Sequence, residues 1–276
     1  MPRLAVLGQP VAHSRSPAMQ NAALDELGLA LEWSYEAIDV GPDRFEEVVR
    51  SLPGAGFAGA NVTLPHKTAA LALADRVSDA ARAIGAANTL SFTDGSIVAE
   101  NTDATGIMAA LPEPPAEARA IVLGAGGSAR AAAWALREAG AEVSVWNRTA
   151  ERARALAAEL GIAVEDRDAS EPLTPQDFDL LVNATTVGLE QAGARAAEAA
   201  DLEPLPLDRD SIGPWHVVVD LVYGAHETAL AELARARAAR LVDGLEVLVR
   251  QGAASLRVWT GLEPPLEVMR RAARAA

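Results

Sequence analysis

The sequence predicts an α/β protein of two lobes, each with a mostly parallel sheet and helices between its strands. Short apolar runs alternate with amphipathic helical segments along most of the chain, as in parallel α/β proteins. The proline-rich break Pro112-Glu113-Pro114-Pro115 divides these segments into two series. A length of 276 residues accommodates one large domain or two ordinary ones.

The first series opens with a strand at 4–7, and the polar loop His13–Pro17 starts a helix that extends to about residue 27. Asp94-Gly95 is a two-residue hairpin signal, so we expect this lobe to end in an antiparallel edge. Hydrophobic periodicity predicts further strands at 33–38, 57–62, 89–92 and 97–99, and helices at 43–52, 65–74 and 103–111.

The second series repeats the alternation of strand and helix. Residues 188–214 are rich in Ala, Pro and acidic side chains, and their weak periodicity predicts no regular structure. The periodicity elsewhere predicts strands at 120–123, 142–146, 162–164, 180–182 and 216–221, and helices at 128–139, 150–160, 245–259 and 266–276.

Composition excludes several classes of function. The net charge of −14, with scattered basic residues, argues against nucleic acid and anionic membranes as partners. Cysteine is absent, and the four histidines lack paired metal-binding spacing, so we expect no metal site. With neither a targeting segment nor a membrane-length apolar run, we expect a cytoplasmic protein. The chain can bury its own core and shows no heptad pattern, so we expect a monomer or a homodimer.

A glycine-rich turn follows the strand at 120–123 and precedes a helix. It matches the pattern G-x-G-x-x-A, in which small residues let the backbone approach a pyrophosphate at the positive end of a helix dipole. A tight turn without a ligand is the alternative. The residues of the turn are Gly124, Ala125, Gly126, Gly127, Ser128 and Ala129.

The next strand ends at Asn147-Arg148-Thr149, where an NAD-binding fold usually carries an acidic residue. Arg148, with Arg152 in the following helix, would pair with a 2′-phosphate and so favours NADP over NAD. A solvated surface pair is the alternative.

Lys67 follows the strand 57–62 at the start of a helix, where ligands of open α/β sheets bind. The helix dipole opposes its positive charge there, which suits the residue to proton transfer; a solvated lysine is the alternative. Asp103 precedes the last helix of the first series and is a second candidate, although it could serve only as a helix cap. The hydroxyls of Ser14 and Ser16 could bind a polar small molecule or cap the next helix.

Taken together, these segments resemble the shikimate dehydrogenase family over essentially the whole chain. The chain differs from the family pattern at Gln20, Ala225 and Val247, none of which is a reacting group. The matching segments are 8–17, 61–67, 84–89, 101–103, the glycine turn, 147–149, 183–185 and Asp243-Gly244 through Gln251.

The resemblance implies reversible, NADP-dependent reduction of 3-dehydroshikimate to shikimate in aromatic amino-acid biosynthesis. It implies that Lys67 and Asp103 form the proton-transfer pair and that Asp79, Leu221 and Gly244 lie near the cofactor. The residues that it implies for binding shikimate are Ser14, Ser16, Thr63, Lys67, Asn88, Asp103, Tyr223 and Gln251.

The resemblance also assigns the two lobes. Residues 1–103 and 245–276 would bind substrate, because Gln251 matches a substrate contact, and residues 104–244 would form a Rossmann-type NADP-binding domain, with a crevice between the two. A quinate- or aminoshikimate-type dehydrogenase would share this machinery. A non-catalytic nucleotide-binding regulator is the remaining alternative. Such a regulator is expected to have lost Lys67 or Asp103, and this sequence has both.

Overall fold

The computed structural model describes residues 2–189, 202 and 204–276. The chain forms two compact units, which we call unit 1 and unit 2. Unit 1 comprises residues 1–106 and 248–276, and unit 2 comprises residues 107–247. Most of the segment 188–214, for which the sequence predicts no regular structure, lies outside the described residues or is without helix and strand.

Unit 1 contains six strands and the helices that connect or flank them. In chain order its elements are β1 (Arg3–Gly8), α1 (Ser16–Glu26), β2 (Ser34–Asp39), α2 (Phe45–Ser51), a 3₁₀ turn (Pro53–Ala55), β3 (Phe57–Val62), α3 (Lys67–Ala72), β4 (Arg76–Val77), α4 (Asp79–Ile84), β5 (Thr89–Thr93), β6 (Ser96–Glu100) and the start of α5 (Asp103–Ala110). The unit ends with most of α9 (Gly244–Thr260) and with α10 (Leu266–Ala275).

The strands of unit 1 form one sheet in the order β2-β1-β3-β5-β6-β4. Strands β1, β2 and β3 are parallel, and β5 and β6 form the predicted hairpin, with positive φ angles of 52° and 74° at Asp94 and Gly95. The prediction that the hairpin ends the sheet is wrong, because β4 pairs in parallel with β6 outside it. A strand of two residues has too little sequence to show a period.

Unit 1 has a hydrophobic cluster on each face of its sheet. Alternate residues of β1 enter different clusters: Ala5 and Leu7 pack with the side chains of α2, whereas Leu4 and Val6 pack with those of α1, α9 and α10. The sheet is thus covered on both sides, and its strand ends are fixed in position.

Unit 2 contains the end of α5, β7 (Arg119–Leu123), α6 (Gly127–Glu138), β8 (Glu142–Trp146), α7 (Ala150–Leu160), β9 (Ala163–Val164), β10 (Leu180–Asn183), β11 (Val217–Asp220), α8 (Ala229–Ala236), β12 (Arg240–Val242) and the first residues of α9. Its sheet has the order β12-β11-β10-β7-β8-β9, and every pair in it is parallel. The order reverses at β7, so the carboxyl ends of β7 and β10 mark the topological switch point where such sheets bind ligands.

The prediction of an α/β fold built on mostly parallel sheets is confirmed. The sequence does not predict β4 and α4 in unit 1, or α8 and β12, which follow β11 in unit 2. Among the described residues, no helix is both long and apolar enough to cross a membrane.

Candidate active site

Lys67 and Asp103, the two predicted reacting residues, are in direct contact. Lys67 is the first residue of α3, and its Nζ donates to Oδ2 of Asp103 at 2.5 Å. Both side chains are largely buried, at 12% and 11% exposed. A pair shielded in this way, yet still accessible, can bind a small polar molecule and exchange a proton with it.

Asp103 does not cap α5, contrary to the capping alternative. Its carboxylate points to Lys67 and Asn88, and Oδ1 of Asn101 instead accepts the Ala104 backbone N–H at 3.2 Å. The helix start is therefore stabilised by Asn101, and both carboxylate oxygens of Asp103 serve the site.

Asn88 is the centre of the hydrogen-bond network around this pair. Its Nδ2 lies 2.8 Å from Oδ1 of Asp103, 3.1 Å from Oε1 of Gln251 and 3.0 Å from Oγ1 of Thr102. The structure thus brings together four of the residues predicted to bind substrate: Lys67, Asn88, Asp103 and Gln251.

Gln251 reaches this network because α9 packs closely against α5. A Cβ atom at Gly106 would lie 2.7 Å from the backbone nitrogen of Gln251 and 2.9 Å from its Cα. Nε2 of Gln251 donates to the carbonyl of Leu248 at 3.0 Å, which leaves Oε1 directed at Asn88. A glycine at position 106 is thus needed for the position of Gln251.

Two polar loops follow the neighbouring strands β1 and β3. Thr63 donates its backbone N–H to Leu7, and a Cβ atom at Gly8 would lie 2.3 Å from Cγ2 of Thr63. The loop after β1 carries Ser14 and leads to Ser16 at the start of α1, where Oγ of Ser14 accepts the Ser16 backbone N–H at 3.3 Å. The hydroxyl of Ser14 therefore accepts the first backbone N–H of α1, whereas Arg15, the N-cap residue, makes no side-chain cap.

In unit 2 the turn from Gly124 to Ala129 connects β7 to α6 at the switch point, and its geometry fits a dinucleotide phosphate. Gly124 has a φ of 115°, and a Cβ atom there would lie 2.9 Å from the carbonyl oxygen of Ala184. Gly126, the N-cap of α6, makes no side-chain cap and has open space where a Cβ would stand. This open end of a 12-residue helix suits a pyrophosphate.

Arg148 and Arg152 follow β8, the strand whose end adjoins this turn. Gly124 donates to the carbonyl of Trp146 at 2.7 Å, so the end of β8 adjoins the glycine turn, and Asn147, Arg148 and Thr149 follow directly. Arg148 and Arg152 are exposed, and within the described part of the chain neither guanidinium has an ion-pair partner. Two unpaired guanidinium groups fit the 2′-phosphate of NADP.

Leu221 and Gly244, predicted to lie beside the nicotinamide, are close to each other. A Cβ atom at Gly244 would lie 2.8 Å from the carbonyl oxygens of Leu221 and Val222, so only glycine fits there. Tyr223 belongs to the same unit, whereas Asp79 begins α4 of unit 1 and is exposed. The predicted ligand contacts of Tyr223 and Asp79 stay predictions.

Asp220, a buried carboxylate at the end of β11, is not among the residues predicted from the sequence. It accepts hydrogen bonds from Nδ2 of Asn183 at 2.9 Å, from the backbone N–H of Val222 at 3.2 Å and from the hydroxyl of Thr228. Burial raises the pKa of Asp220 to about 6, although the three hydrogen bonds oppose the shift. A lone acidic residue ending the apolar run Val217–Val219 is the signal that could have revealed it.

The amino-acid composition also contains a signal that points to Lys67. Lys67 is the single lysine among 24 basic residues, and the other 23 are arginines. Arginine keeps its proton in proteins, whereas lysine can release one. The sequence therefore carries its one lysine ammonium group at the predicted reacting position.

Comparisons with known proteins agree with these features. Residues 6–90 match the family model described as the shikimate dehydrogenase substrate binding domain, and residues 110–198 match the shikimate / quinate 5-dehydrogenase model. Residues 244–274 match the shikimate 5′-dehydrogenase C-terminal domain. The three matches follow the chain from near its start to near its end.

Similar proteins include shikimate dehydrogenase (NADP(+)) of Thermus thermophilus, which in one strain is 46% identical over 100% of this chain and 99% of its own length. The enzyme of the same name from Acidiphilium cryptum is 43% identical over 95% of this chain and 91% of its own length. A crystal structure of shikimate 5-dehydrogenase from a second Thermus thermophilus strain, in complex with NADP(H) and shikimate, is 44% identical, covers 100% of this chain and 99% of that one, and has a TM-score of 0.86. The chain belongs to the shikimate dehydrogenase family.

Proposed function

We propose that this chain is an NADP-dependent shikimate dehydrogenase that interconverts 3-dehydroshikimate and shikimate. The contact between Lys67 and Asp103 carries the proposal on the structural side, since it places an ammonium group and a carboxylate in one small polar site. Similarity over nearly the whole chain to enzymes named shikimate dehydrogenase (NADP(+)) supports the reaction and the cofactor.

Unit 1 would bind the ring substrate and unit 2 would bind NADP. The hydroxyls of Ser14, Ser16 and Thr63, with the amide of Gln251, supply neutral groups for hydroxyls and a carboxylate. Asp103 would accept a hydrogen bond from a ring hydroxyl. On the cofactor side, the glycine turn would hold the pyrophosphate, and Arg148 and Arg152 would pair with the 2′-phosphate.

Lys67 would handle the proton of the reacting oxygen. NADP, held by the glycine turn and by Arg148 and Arg152, would supply the hydride chemistry, as the hydride acceptor in the oxidation direction and, in its reduced form, as the hydride donor in the other. In the reduction direction, Nζ of Lys67 donates a proton to the oxygen of 3-dehydroshikimate as that oxygen becomes a hydroxyl. In the oxidation direction, the neutral amine takes the hydroxyl proton of shikimate. Asp103 orients Lys67 and balances its charge while the ammonium form is present.

Initial rates on shikimate and on quinate, each with NADP and with NAD, test the proposal. We expect the highest kcat/KM for shikimate with NADP. A preference for quinate would place the chain in the quinate-using branch of the same reaction class, and no turnover with either substrate would reject the proposed activity. Expression of the chain in cells that lack shikimate dehydrogenase gives an independent test, because the cells should regain growth without aromatic amino acids.

We further propose that the protein acts as a monomer or a homodimer in the cytoplasm. Each unit has its own buried clusters on both faces of its sheet, so folding does not require a partner. Light scattering checks the oligomeric state, and a stable tetramer would overturn that part of the proposal.

A further inference from the structure

Three buried hydroxyl groups meet next to the side chain of Asn88. We call Thr89, Thr102 and Ser255 the hydroxyl cluster. Oγ1 of Thr89 lies 2.9 Å from Oγ of Ser255 and 3.1 Å from Oγ1 of Thr102, and the last two oxygens are 3.0 Å apart. Thr89 and Ser255 are fully buried, and Thr102 is nearly so. The three residues come from the start of β5, the residue before α5 and the second half of α9.

Asn88 has one orientation that fits its neighbours. Its Oδ1 lies 2.7 Å from the backbone nitrogen of Thr102, and because a backbone N–H can only donate, the oxygen must be on that side. The hydroxyls of Thr89 and Thr102 lie 3.2 Å from the same oxygen and can donate to it. The opposite side of the amide, Nδ2, therefore faces Asp103 and Gln251.

The cluster is itself held by an amide of fixed orientation. Nδ2 of Asn61 donates to Oγ of Ser255 at 2.8 Å and lies 3.1 Å from the carbonyl of Asn88, which can only accept. Ser255 then donates to the carbonyl of Gln251 at 3.1 Å, and the hydroxyl of Tyr35 donates to Oδ1 of Asn61 at 2.8 Å. A continuous chain of hydrogen bonds thus runs from β2 to the carboxylate of Asp103.

We propose that the hydroxyl cluster is a positioning device for the reacting pair, with Thr89 at its centre. By holding Oδ1 of Asn88, the cluster directs Nδ2 at Asp103, and Asp103 in turn holds Lys67. The proposal rests on the proposed function, because it assigns a role within the same site. Valine has nearly the shape of threonine and needs no partner, so packing alone does not require hydroxyls at these buried positions.

Two substitutions of Thr89 separate positioning from packing. Thr89→Val keeps the shape and removes the hydroxyl, whereas Thr89→Ser keeps the hydroxyl and removes a methyl group. We expect Thr89→Val to lower kcat about three- to tenfold, the rate equivalent of one net hydrogen bond, with the KM for NADP unchanged. Thr89→Ser should keep kcat within about twofold of the parent, whatever its melting temperature.

Thr260→Ala is the matched control. Thr260 also lies on α9 and donates to a carbonyl one turn earlier, that of Leu256 at 2.8 Å, but it makes no hydrogen bond to the cluster. Its loss should leave kcat unchanged. The pair Thr102→Val and Thr102→Ser repeats the comparison if Thr89→Val does not fold. Equal kcat for Thr89→Val and the parent, or equal losses in the Val and Ser variants, would overturn the proposal.

A readout without substrate distinguishes failure of this proposal from failure of the proposed function. NMR measures hydrogen exchange of the Asn88 side-chain amide in the protein alone. We expect exchange to be about three- to tenfold faster in Thr89→Val than in Thr89→Ser. Inactivity of the parent on shikimate would reject the proposed function only, whereas identical exchange in the two variants would reject the positioning role only.

Discussion

Lys67 forms an ion pair with Asp103, and an arginine could form the same pair. All of the remaining 23 Lys and Arg residues of the chain are arginines. Guanidinium forms ion pairs well but retains its proton under all ordinary conditions. The ion pair with Asp103 thus explains why a cation stands at position 67, and the proposed proton transfer would explain why that cation is a lysine. A structural role alone would be served by either side chain.

Arg148 is the residue proposed to recognise the 2′-phosphate of NADP. Arg148→Ala should raise the KM for NADP roughly 10- to 150-fold, because a charge-assisted hydrogen bond to phosphate contributes about 1.5 to 3 kcal/mol. The KM for NAD, which lacks the 2′-phosphate, should barely change. Steady-state kinetics with both nucleotides measure the difference.

Arg154→Ala is the control for that experiment. Arg154 is exposed on α7 like Arg152, but it pairs with Asp166 at 2.9 Å. Its removal should change neither KM. Equal increases for NADP and NAD in Arg148→Ala would show that Arg148 does not recognise the 2′-phosphate.

At the scale of elements, the close contact between α5 and α9 predicts that Gly106 cannot carry a side chain. Gly106→Ala should lower the free energy of unfolding by about 1 to 3 kcal/mol, because the new methyl group would overlap the backbone of Gln251. The displaced Gln251 should also raise the KM for shikimate. Denaturant titration and steady-state kinetics check the two effects.

Gly54→Ala is the comparison for stability. Gly54 lies in the 3₁₀ turn of unit 1 with open space where its Cβ would stand. Its substitution should change stability by less than about 0.5 kcal/mol. If Gly106→Ala were equally neutral, α9 would not depend on the close approach at α5.

Asp220 links the ends of β10, β11 and α8, and it predicts a pH dependence. Because its pKa is raised to about 6 in the folded protein, the folded state holds the proton more tightly than the unfolded state does. The stability from this group is therefore present below about pH 4 and is lost as the pH rises through about 6, by up to about 3 kcal/mol.

Unfolding curves of the parent and Asp220→Asn, measured from about pH 4 to about pH 7.5, isolate this contribution. Stability of the parent relative to the variant should fall as the pH rises, since the variant cannot ionise at this position. A constant difference across the range would mean that Asp220 does not titrate there.

The elements that the sequence predicts well are those marked by their own apolar residues. Strands β3, β7 and β8 are short, mostly buried runs, and helices α6, α7 and α9 carry enough apolar residues to show a period of 3.6. Strands β4 and β12, of two and three residues, exist because a neighbouring strand offers backbone partners. Helix α8 was missed because it has only eight residues, half of them alanine, so few large apolar side chains mark its buried face.

In the candidate site, too, residues next to predicted elements can be recognised from the sequence, whereas contacts between distant residues cannot. Lys67, Asp103 and the glycine turn follow predicted strands or precede predicted helices, so sequence position alone indicates where they lie. The hydroxyl cluster joins residues up to 166 positions apart, and its members resemble ordinary threonines and serines until the fold brings them together. No local pattern predicts such contacts.

Over the whole molecule, the residues proposed to handle the proton lie in unit 1 and the turn proposed to bind the phosphates lies in unit 2. We therefore expect substitutions in the two units to have separate kinetic effects. Substitution at Arg148 should act on the KM for NADP, whereas substitution at Lys67 should act on kcat. If one set of residues acted equally on substrate and NADP, each substitution would change both kcat and the KM for NADP.

The kcat and KM of Lys67→Arg and Lys67→Ala distinguish proton transfer by Lys67 from substrate binding alone. Arginine keeps the positive charge and can pair with Asp103, but it does not release its proton. We predict that both variants lower kcat about 10²- to 10⁴-fold, while the KM for shikimate stays within a few-fold of the parent in Lys67→Arg. Near-normal kcat in either variant, with a large rise in the KM for shikimate, would mean that Lys67 only binds substrate and would contradict its role in proton transfer.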